Sequence, residues 1–401
     1  MQKISIIGLG YMGLPMAALV AKAGYTVKGV DVQQRVVDAI NNGQTHFEEP
    51  GLAPLVEEQA KLGNLTAYQA PQQAEIFVIA VPTPFNEEDK TPDMTYVRQA
   101  AESLASVLKE GDLVILESTS PIGSTEADVR DVIEAKAPEL KGKVLYAFCP
   151  ERAIPGDTMR ELIENDRCVG GVTEEATQKA LEFYKTFIKG ELIPTTARVA
   201  EMVKLVENSS RDAQIAFANE LSLVCDKLDM NVWEVIQLAN RHPRVNILRP
   251  GTGVGGHCLA VDPWFIVNSA PDVTPLIRTV RQVNDHKPQW VVDKIKAALY
   301  DNPNATVVLM GLAFKPDVED LRNSPSMLVA KWLKEQAPNA NILACEPHNI
   351  EDDAGFALVP QEQAVEQGDV LVFLTSHTVF KQIPQEQLAT KTVIDPSGTF
   401  A

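Results

Sequence analysis

A glycine-rich turn near the start of the chain limits the fold more than any other feature. Residues 8–13 read GLGYMG, with Gly8, Gly10 and Gly13 between the apolar run KISII and the helical pattern LPMAALVAKAG. Such a turn lets the backbone approach a pyrophosphate and points a helix N-terminus at it. The next run, TVKGV, ends at Asp31, whose carboxylate can accept hydrogen bonds from an adenosine ribose. The pattern predicts a dinucleotide-binding βαβ unit and favours NAD over NADP, because a 2′-phosphate would meet the charge of Asp31.

The rest of the chain alternates between short apolar runs and amphipathic segments. Five early runs predict strands of a mostly parallel sheet: KISIIGLG, YTVKGVDV, EIFVIAVPTP, GDLVILEST and KVLYAFCPE. Long helical patterns follow, and β/α alternation resumes at ATVVLMGLAFK. We therefore predict an α/β protein with an N-terminal Rossmann-type domain over residues 1–196, a central helical region over 197–300 and a Rossmann-like C-terminal domain over 301–401.

Composition excludes several classes of protein. The 401 residues carry a formal net charge of -18 and no basic cluster, which argues against a nucleic-acid partner. No apolar run reaches the roughly 18 residues of a membrane span, and the chain starts directly with a strand, so we expect a cytoplasmic protein without a membrane partner. The five cysteines contain no CxxC pair, so we expect neither a disulfide framework nor a bound metal.

A polar line is predicted on the first long helix. Lys204, Asn208 and Arg211 stand at i, i+4 and i+7, which places them within about 60° on one helix face. A lysine close to an alcohol can accept its proton, and an asparagine can hold its oxygen, as hydride removal requires. The alternative is a solvated stripe without a chemical role.

Cys258 follows two glycines in GVGGHC, where the backbone can approach a bound sugar. A cation from Lys204 or His257 would favour its thiolate, although a buried packing role is the alternative. An NAD enzyme gains from such a cysteine because an aldehyde must form an adduct before it can lose hydride. Cys258 therefore indicates oxidation of an alcohol through to an acid. A single-step β-hydroxyacid dehydrogenase, which needs no cysteine, and a non-catalytic NAD-binding protein are the rival interpretations.

Nearly end to end, the chain resembles the nucleotide-sugar 6-dehydrogenases. The resemblance rests on GLGYMGLPMA, VPTPF, ESTSPIGST, CPER, KLVENSSRDAQIAFANEL, GVGGHC with VDP, and GLAFKPDVEDLRNSP. It implies an NAD-dependent, four-electron oxidation of the C6 alcohol of a UDP-sugar for surface polysaccharide synthesis. Two segments, NRHPRVNILRPGTGVGGHCLAVDPWFIV and NDHKPQWVVD, are most similar to members acting on UDP-N-acetyl-D-mannosamine. UDP-N-acetylglucosamine and UDP-glucose are the alternative substrates.

The resemblance also implies roles for individual residues. The implied NAD site consists of Gly8, Gly10, Tyr11, Met12, Gly13, Asp31, Thr83, Thr119 and Arg322. The implied catalytic residues are the nucleophile Cys258, then Lys204, Asn208 and Asp262 for proton handling, Glu151 for the hydrolytic water, and Thr119. The implied substrate contacts are Arg152, Ala153, Lys204, Asn208, Arg211, His242, Arg244, Gly255, Phe314 and Lys315.

Two further expectations concern assembly and the C-terminus. In this family the central helices form a homodimer in which Arg244 can reach the partner's site, and the C-terminal domain binds UDP. Ser397 departs from the pattern, because related enzymes often carry a basic residue there.

Overall fold

A computed structural model describes residues 2–86, 88–154, 156–256, 258–348 and 355–401, with only the backbone of residue 301. The chain divides into two compact units. The first unit contains Met1–Glu207 and Trp264–Pro271, and the second contains Asn208–Pro263 and Asp272–Ala401.

An eight-stranded sheet forms the centre of the first unit, beside a small antiparallel hairpin. The strands are β1 (Lys3–Ile7), β2 (Thr26–Val30), β3 (Leu65–Tyr68), β4 (Ile76–Ile79), the hairpin strands β5 (Phe85–Asn86) and β6 (Thr91–Pro92), β7 (Leu113–Leu116), β8 (Leu145–Phe148), β9 (Arg167–Gly171) and β10 (Leu192–Thr196). Strands β3, β2, β1, β4, β7 and β8 lie side by side and parallel. Strand β9 runs antiparallel to β8, and β10 runs parallel to β9. The order reverses between β1 and β4, as in sheets that bind dinucleotides.

Helices cover both faces of this sheet, so its central strands are apolar on both sides. Along β1, Ile4 and Ile6 join one buried cluster, whereas Ile7 joins the cluster on the opposite face. The helices are α1 (Gly13–Lys22), α2 (Gln34–Asn41), α3 (Leu52–Lys61), α4 (Thr95–Leu104), a π-helical turn (Thr125–Arg130) leading into α5 (Asp131–Lys136), a 3-10 turn (Pro138–Leu140), α6 (Thr158–Glu164) and α7 (Glu174–Tyr184).

The second unit contains a four-stranded parallel sheet and long helices. Its strands are β11 (Thr306–Met310), β12 (Asn341–Cys345), β13 (Val370–Phe373) and β14 (Thr392–Ile394), in the order β12-β11-β13-β14. The remaining helices are α8 (Ala197–Lys227), α9 (Val232–Ala239), α10 (Asp262–Ser269), α11 (Pro275–Asp301), α12 (Pro325–Gln336), α13 (Gln361–Gln367), a 3-10 turn (Thr378–Gln382) and α14 (Gln385–Leu388). Helix α8 begins in the first unit and continues into the second at Asn208, and α10 crosses the division in the opposite sense.

The predicted α/β fold class is confirmed, and each of the five strands predicted from early apolar runs is present. Strands β3, β9 and β10 were not among them. The three domain boundaries drawn from the sequence stay a prediction. Among the described residues, no helix is both long and apolar enough to cross a membrane.

Two glycines let α1 start directly against the turn after β1. Gly8 has a φ of +91°, and a Cβ on this residue would lie 2.5 Å from the carbonyl oxygen of Ala80. A Cβ on Gly13 would lie 1.8 Å from the carbonyl oxygen of Gly8. Around Gly10, by contrast, nothing lies within 4 Å of such an atom. Gly8 and Gly13 are therefore required by packing, whereas Gly10 leaves open space beside the backbone.

We expect Gly13→Ala to lower the free energy of unfolding by about 3 kcal/mol or more, because the new methyl group would overlap a backbone atom that cannot rotate away. Gly10→Ala is the matched control and should stay within about 0.5 kcal/mol of the original protein. Urea unfolding of the three proteins, followed by circular dichroism, measures the difference. Equal unfolding midpoints for the two variants would contradict this account of the turn.

Candidate functional site

Predicted site residues of the first unit follow the ends of five parallel strands. Gly8, Asp31, Thr83, Thr119 and Glu151 come after β1, β2, β4, β7 and β8, respectively. Parallel strands end at the same edge of a sheet, so the fold brings these residues to one edge. This is the edge at which open α/β sheets bind their ligands.

The glycine turn at this edge has the features of a dinucleotide site. Both oxygens of Asp31 accept backbone N–H bonds, Oδ2 from Leu9 at 3.1 Å and Oδ1 from Gln33 at 2.9 Å. Helix α1 begins after Met12 without a side-chain cap from any described residue, so its first N–H groups can face an anion. The ring of Tyr11 is 52% exposed and lies 4.5 Å from that of Phe47. A carboxylate for the ribose and open backbone for the pyrophosphate fit NAD.

Glu151 is held in one orientation by three donors. Its Oε1 accepts the N–H groups of Arg152 and Ala153, each at 2.6 Å. Its Oε2 accepts a bond of 2.5 Å from the guanidinium of Arg167. The carboxylate that was predicted to act on water is therefore fixed by its neighbours.

Arg167 belongs to a buried cluster that the sequence did not indicate. Its side chain is 2% exposed and also lies 3.5 Å from Oε1 of Glu117. The hydroxyl of Tyr184 donates to the same Glu117 oxygen at 2.6 Å. The only sequence signal was a charged residue at the start of the apolar strand RCVGG. It was insufficient because Glu117 and Tyr184 are 50 and 17 positions away in the chain.

The other predicted residues of the first unit are half-buried. Arg152 donates to Glu207 at 2.7 Å, and Lys204 lies on α8. Thr83, Thr119 and Ala153 are also half-buried. None of these placements assigns a role, and their functions stay predictions.

In the second unit, the structure brings Cys258, Asn208 and Asp262 together. The carbonyl oxygen of Cys258 accepts the N–H groups of Val261 at 3.0 Å and Asp262 at 2.8 Å, and this turn starts α10. Nδ2 of Asn208 donates to Oδ2 of Asp262 at 2.5 Å. Asp262 is 3% exposed, and Cys258 is half-buried. His257, the alternative cation for the thiol, lies outside the described residues.

Gly255 packs against the loop after β11. A Cβ there would lie 2.6 Å from the carbonyl oxygen of Asn323 and 3.1 Å from Cβ of Phe314. Phe314 is half-buried and Lys315 is exposed. Of the predicted substrate residues, Gly255 and Phe314 are therefore neighbours in this unit, and Lys315 follows Phe314 in the chain.

Four predicted residues of the second unit are exposed: Arg211, His242, Arg244 and Arg322. The Arg244 N–H donates to Nδ1 of His242 at 3.3 Å. The guanidinium of Arg322 forms an ion pair of 2.6 Å with Asp320.

Ser397, which was noted in the sequence as a departure from the expected pattern, has structural partners in the second unit. Its hydroxyl donates to the carbonyl oxygen of Phe373 at 2.8 Å and lies 3.2 Å from Oδ1 of Asp395. The side chain therefore ties the segment after β14 to the end of β13.

A carboxylate after the second strand of the smaller sheet repeats the arrangement of Asp31. Oε2 of Glu346 accepts the N–H groups of Leu312 at 2.7 Å and Ala313 at 3.1 Å, in the loop that follows β11. The pKa of Glu346 is lowered: burial alone would raise it, but the neighbouring His377 imidazole and these backbone N–H groups outweigh that effect. The sequence did not single out Glu346.

Asp317, His348 and His377 place one candidate metal-ligating atom each within 4.8 Å of one another. However, Nδ1 of His377 already accepts the Asp317 N–H at 3.0 Å, and Nε2 lies 3.3 Å from Glu346. Both ring nitrogens of this buried histidine face protein groups, and we assign no metal to the cluster.

Three family models match consecutive parts of the chain. Residues 2–188 match the NAD binding domain of the UDP-glucose/GDP-mannose dehydrogenase family, residues 198–286 match its central domain, and residues 308–400 match its UDP binding domain.

Individual relatives are similar over nearly their whole length. A UDP-N-acetyl-D-mannosamine dehydrogenase from Escherichia coli K12 is 50% identical and aligns over 99% of each chain. An NDP-N-acetyl-D-galactosaminuronic acid dehydrogenase from Ralstonia nicotianae is 46% identical, with 99% of this chain and 96% of the relative covered. The solved structure of a UDP-N-acetyl-mannosamine dehydrogenase from Staphylococcus aureus is 39% identical with a TM-score of 0.86, covering 99% of this chain and 95% of that one.

These matches confirm the resemblance and the cofactor predicted from the glycine turn. The dinucleotide edge of the first sheet corresponds to the matched NAD binding domain. The smaller sheet lies in the matched UDP binding domain. The chain belongs to the UDP-glucose/GDP-mannose dehydrogenase family and is an NAD-dependent nucleotide-sugar dehydrogenase.

Proposed function

We propose that the enzyme oxidises C6 of UDP-N-acetyl-D-mannosamine to the carboxylate of UDP-N-acetyl-D-mannosaminuronic acid. The observation that carries this proposal is the hydrogen bond between Asn208 and Asp262 beside Cys258, on a chain with an NAD site. The substrate is supported by the 50% identical relative from Escherichia coli, which is named for this sugar. We further propose a cytoplasmic enzyme serving surface polysaccharide synthesis.

In the first oxidation, the C6 alcohol loses a hydride and a proton and becomes an aldehyde. NAD, when bound, accepts the hydride. Lys204 accepts or positions the proton, and Asn208 with Asp262 holds the oxygen. The NH2 group of Asn208 donates to Oδ2 of Asp262, so the acceptor that this amide can offer the sugar is its carbonyl oxygen.

In the second oxidation, the sulfur of Cys258 adds to the aldehyde carbon and forms a thiohemiacetal. Loss of a second hydride, which a second NAD would accept, together with the hydroxyl proton converts the thiohemiacetal into a thioester. Water then attacks the thioester carbon, and the carbon–sulfur bond breaks to release the acid and restore the thiol. One sugar and one water therefore yield two NADH.

Glu151 is the proposed partner of that water. Two backbone N–H groups occupy both lone pairs of Oε1 and Arg167 occupies one lone pair of Oε2, so the second lone pair of Oε2 is the acceptor proposed for a water proton. Because both oxygens are held, the orientation of the carboxylate does not depend on the substrate.

The protonation state of Glu117 sets the net charge of this cluster. Burial raises the pKa of Glu117 from 4.5 to about 7, with Arg167 acting in the opposite direction and Glu151 in the same one. Below that pH the protonated, neutral form of Glu117 predominates, so this residue adds no buried negative charge beside Glu151.

A homodimer is supported by an exposed apolar line at the end of α8. Phe217 and Val224 are 58% and 45% exposed and lie about 20° apart on the face of α8, and Leu228, directly after the helix, is 60% exposed. We propose that a second copy covers this line, and that the exposed Arg244 reaches the partner's site.

The rival interpretations lose support from the same observations. A single-step β-hydroxyacid dehydrogenase gives no reason for a UDP binding domain over residues 308–400. A non-catalytic NAD-binding protein gives no reason for the contact of Asn208 with Asp262. Among substrates, the 46% identical Ralstonia relative makes a galactosamine-derived sugar the second candidate.

We expect two NADH per sugar with UDP-N-acetyl-D-mannosamine, and lower kcat/KM with UDP-N-acetylglucosamine, UDP-N-acetylgalactosamine and UDP-glucose. NADH absorbance and chromatography of the sugar acids provide both measurements. Two NADH with another sugar would correct the substrate, whereas one NADH per sugar would refute the two-step reaction.

Cys258→Ser should reduce acid formation by on the order of a thousandfold or more, because a hydroxyl is a far weaker nucleophile than a thiolate. Cys168→Ser is the matched control: it is another half-buried thiol, and we expect unchanged turnover. Acid production by Cys258→Ser at the original rate would remove this residue from the mechanism.

Glu117→Gln should flatten the pH dependence of stability. The folded protein keeps a proton that the unfolded chain releases between pH 4.5 and about 7, so this stabilisation is present below the window and is lost as the pH rises through it. Between pH 5 and 8 the original protein should lose on the order of 2 kcal/mol more than the variant. Urea unfolding at both pH values measures this difference, and parallel losses would contradict the raised pKa.

A further inference from the structure

A chain of buried polar side chains connects α8 and α11 to the loop that precedes Cys258. Its members are Asp212 and Asn219 on α8 and Arg281 and Asn284 on α11. Each is at most 1% exposed. Buried polar groups at this depth require partners, and hydrogen bonds link these four side chains to one another and to the N–H of Gly251.

Every contact along this chain has a defined donor and acceptor. Arg281 donates to Oδ1 of Asp212 at 2.5 Å, and Nδ2 of Asn284 donates to the same oxygen at 2.7 Å. Nδ2 of Asn219 donates to Oδ1 of Asn284 at 2.9 Å. Finally, the N–H of Gly251 donates to Oδ1 of Asn219 at 2.9 Å.

The carboxylate of Asp212 sets the orientation of both amides. An ionised carboxylate only accepts hydrogen bonds, so Asn284 must present its NH2 group to Asp212 and its oxygen to Asn219. Asn219 must then present its NH2 group to Asn284, which leaves its oxygen for the Gly251 N–H. Burial raises the pKa of Asp212 to about 6, with Arg281 opposing that effect, so the carboxylate is ionised at neutral pH.

Helix α8 therefore holds the Cys258 segment at two points. Asn219 binds Gly251, seven residues before the cysteine, and Asn208 binds Asp262, four residues after it. The two asparagines are eleven positions apart, which places them about 20° apart on the helix face. One rigid helix thus sets the position of both ends of this segment.

Contacts with other elements of the second unit also restrict the position of the segment before Cys258. Oγ1 of Thr252 donates to the carbonyl oxygen of Leu374 at 2.6 Å. A Cβ on Gly253 would lie 3.0 Å from Pro325 and 3.2 Å from Pro288. Asn219 supplies the hydrogen bond from the helix that also carries Asn208.

We propose that Asn219 is a positioning residue for Cys258, acting through Gly251, and that Asn284 and Asp212 fix the orientation of its amide. The inference rests on the proposed function, in which Cys258 attacks the aldehyde. A displacement of this sulfur by about 1 Å can reduce turnover a hundredfold, so a remote support has a kinetic effect.

The first test compares Asn219→Leu with Asn41→Leu. Asn41 is a matched control because its amide also makes two hydrogen bonds, to the N–H and C=O of Ala67, at 2.8 and 3.0 Å. We expect both variants to lower the melting temperature. Only Asn219→Leu should reduce kcat by about tenfold or more, with the KM for NAD within about twofold.

The second measurement does not depend on turnover. Iodoacetamide labelling of Cys258, quantified by mass spectrometry of its peptide, should change in rate by about threefold or more in Asn219→Leu and not in Asn41→Leu. If the proposed function fails, through unchanged acid formation by Cys258→Ser, this labelling rate still reports on the position of the loop. Failure of the proposed function can therefore be told apart from failure of the positioning role of Asn219.

Asn219→Asp tests the bond that Asn219 accepts from Gly251 separately from the bond that it donates to Asn284. It keeps an oxygen for the Gly251 N–H but loses the NH2 group that faces Asn284, so its kcat should be closer to that of the original protein than the kcat of Asn219→Leu. If Asn219→Leu does not fold, Asn219→Ser replaces it with the same expected direction. Unchanged kcat and labelling in these variants, or equal losses in Asp and Leu, would overturn the proposal.

Discussion

The parallel pairing of β1 with β2 and β4 is the constraint on which the cofactor site depends. Parallel strands require a crossover between them and bring all their carboxyl ends to one edge. The turn after β1 then lies beside Asp31, which follows β2. The close approach of Gly13 to Gly8 permits this geometry, because any side chain on Gly13 would overlap the turn. The smaller sheet repeats the arrangement with Glu346.

Buried charges in this enzyme orient groups more than they stabilise the fold. A buried ion pair contributes little net stability, because desolvation offsets most of the attraction, but its geometry is well defined. Arg167 holds Glu151 in the first unit, and the pair of Arg281 with Asp212 sets the amide orientations in the second. In the first unit, the buried cation Arg167 therefore orients Glu151 directly. In the second unit, the ion pair acts on the loop before Cys258 through the amide of Asn219.

Local patterns predicted the elements well, since a glycine turn and an apolar run act over a few residues. The strands from KISII to KVLYAF and the helical stripe of Lys204 and Asn208 are of this kind. The supporting residues were missed for the opposite reason. Arg167 meets Glu117 across 50 positions, and Asn219 meets Asn284 across 65, so neither contact has a periodic signal. The roles of the individual site residues remain predictions from motifs.

The sequence by itself determined the NAD-binding turn, five strands of the first sheet, and a cysteine in a setting suited to chemistry. These follow from backbone sterics and hydrophobic periodicity, which are local properties. Only the tertiary structure decided which donors hold Glu151 and which side chain accepts the hydrogen bond of the Gly251 N–H. It also decided that Ser397 donates to the end of β13. Each of these depends on buried hydrogen-bonding groups that must find partners from distant parts of the chain once water is excluded.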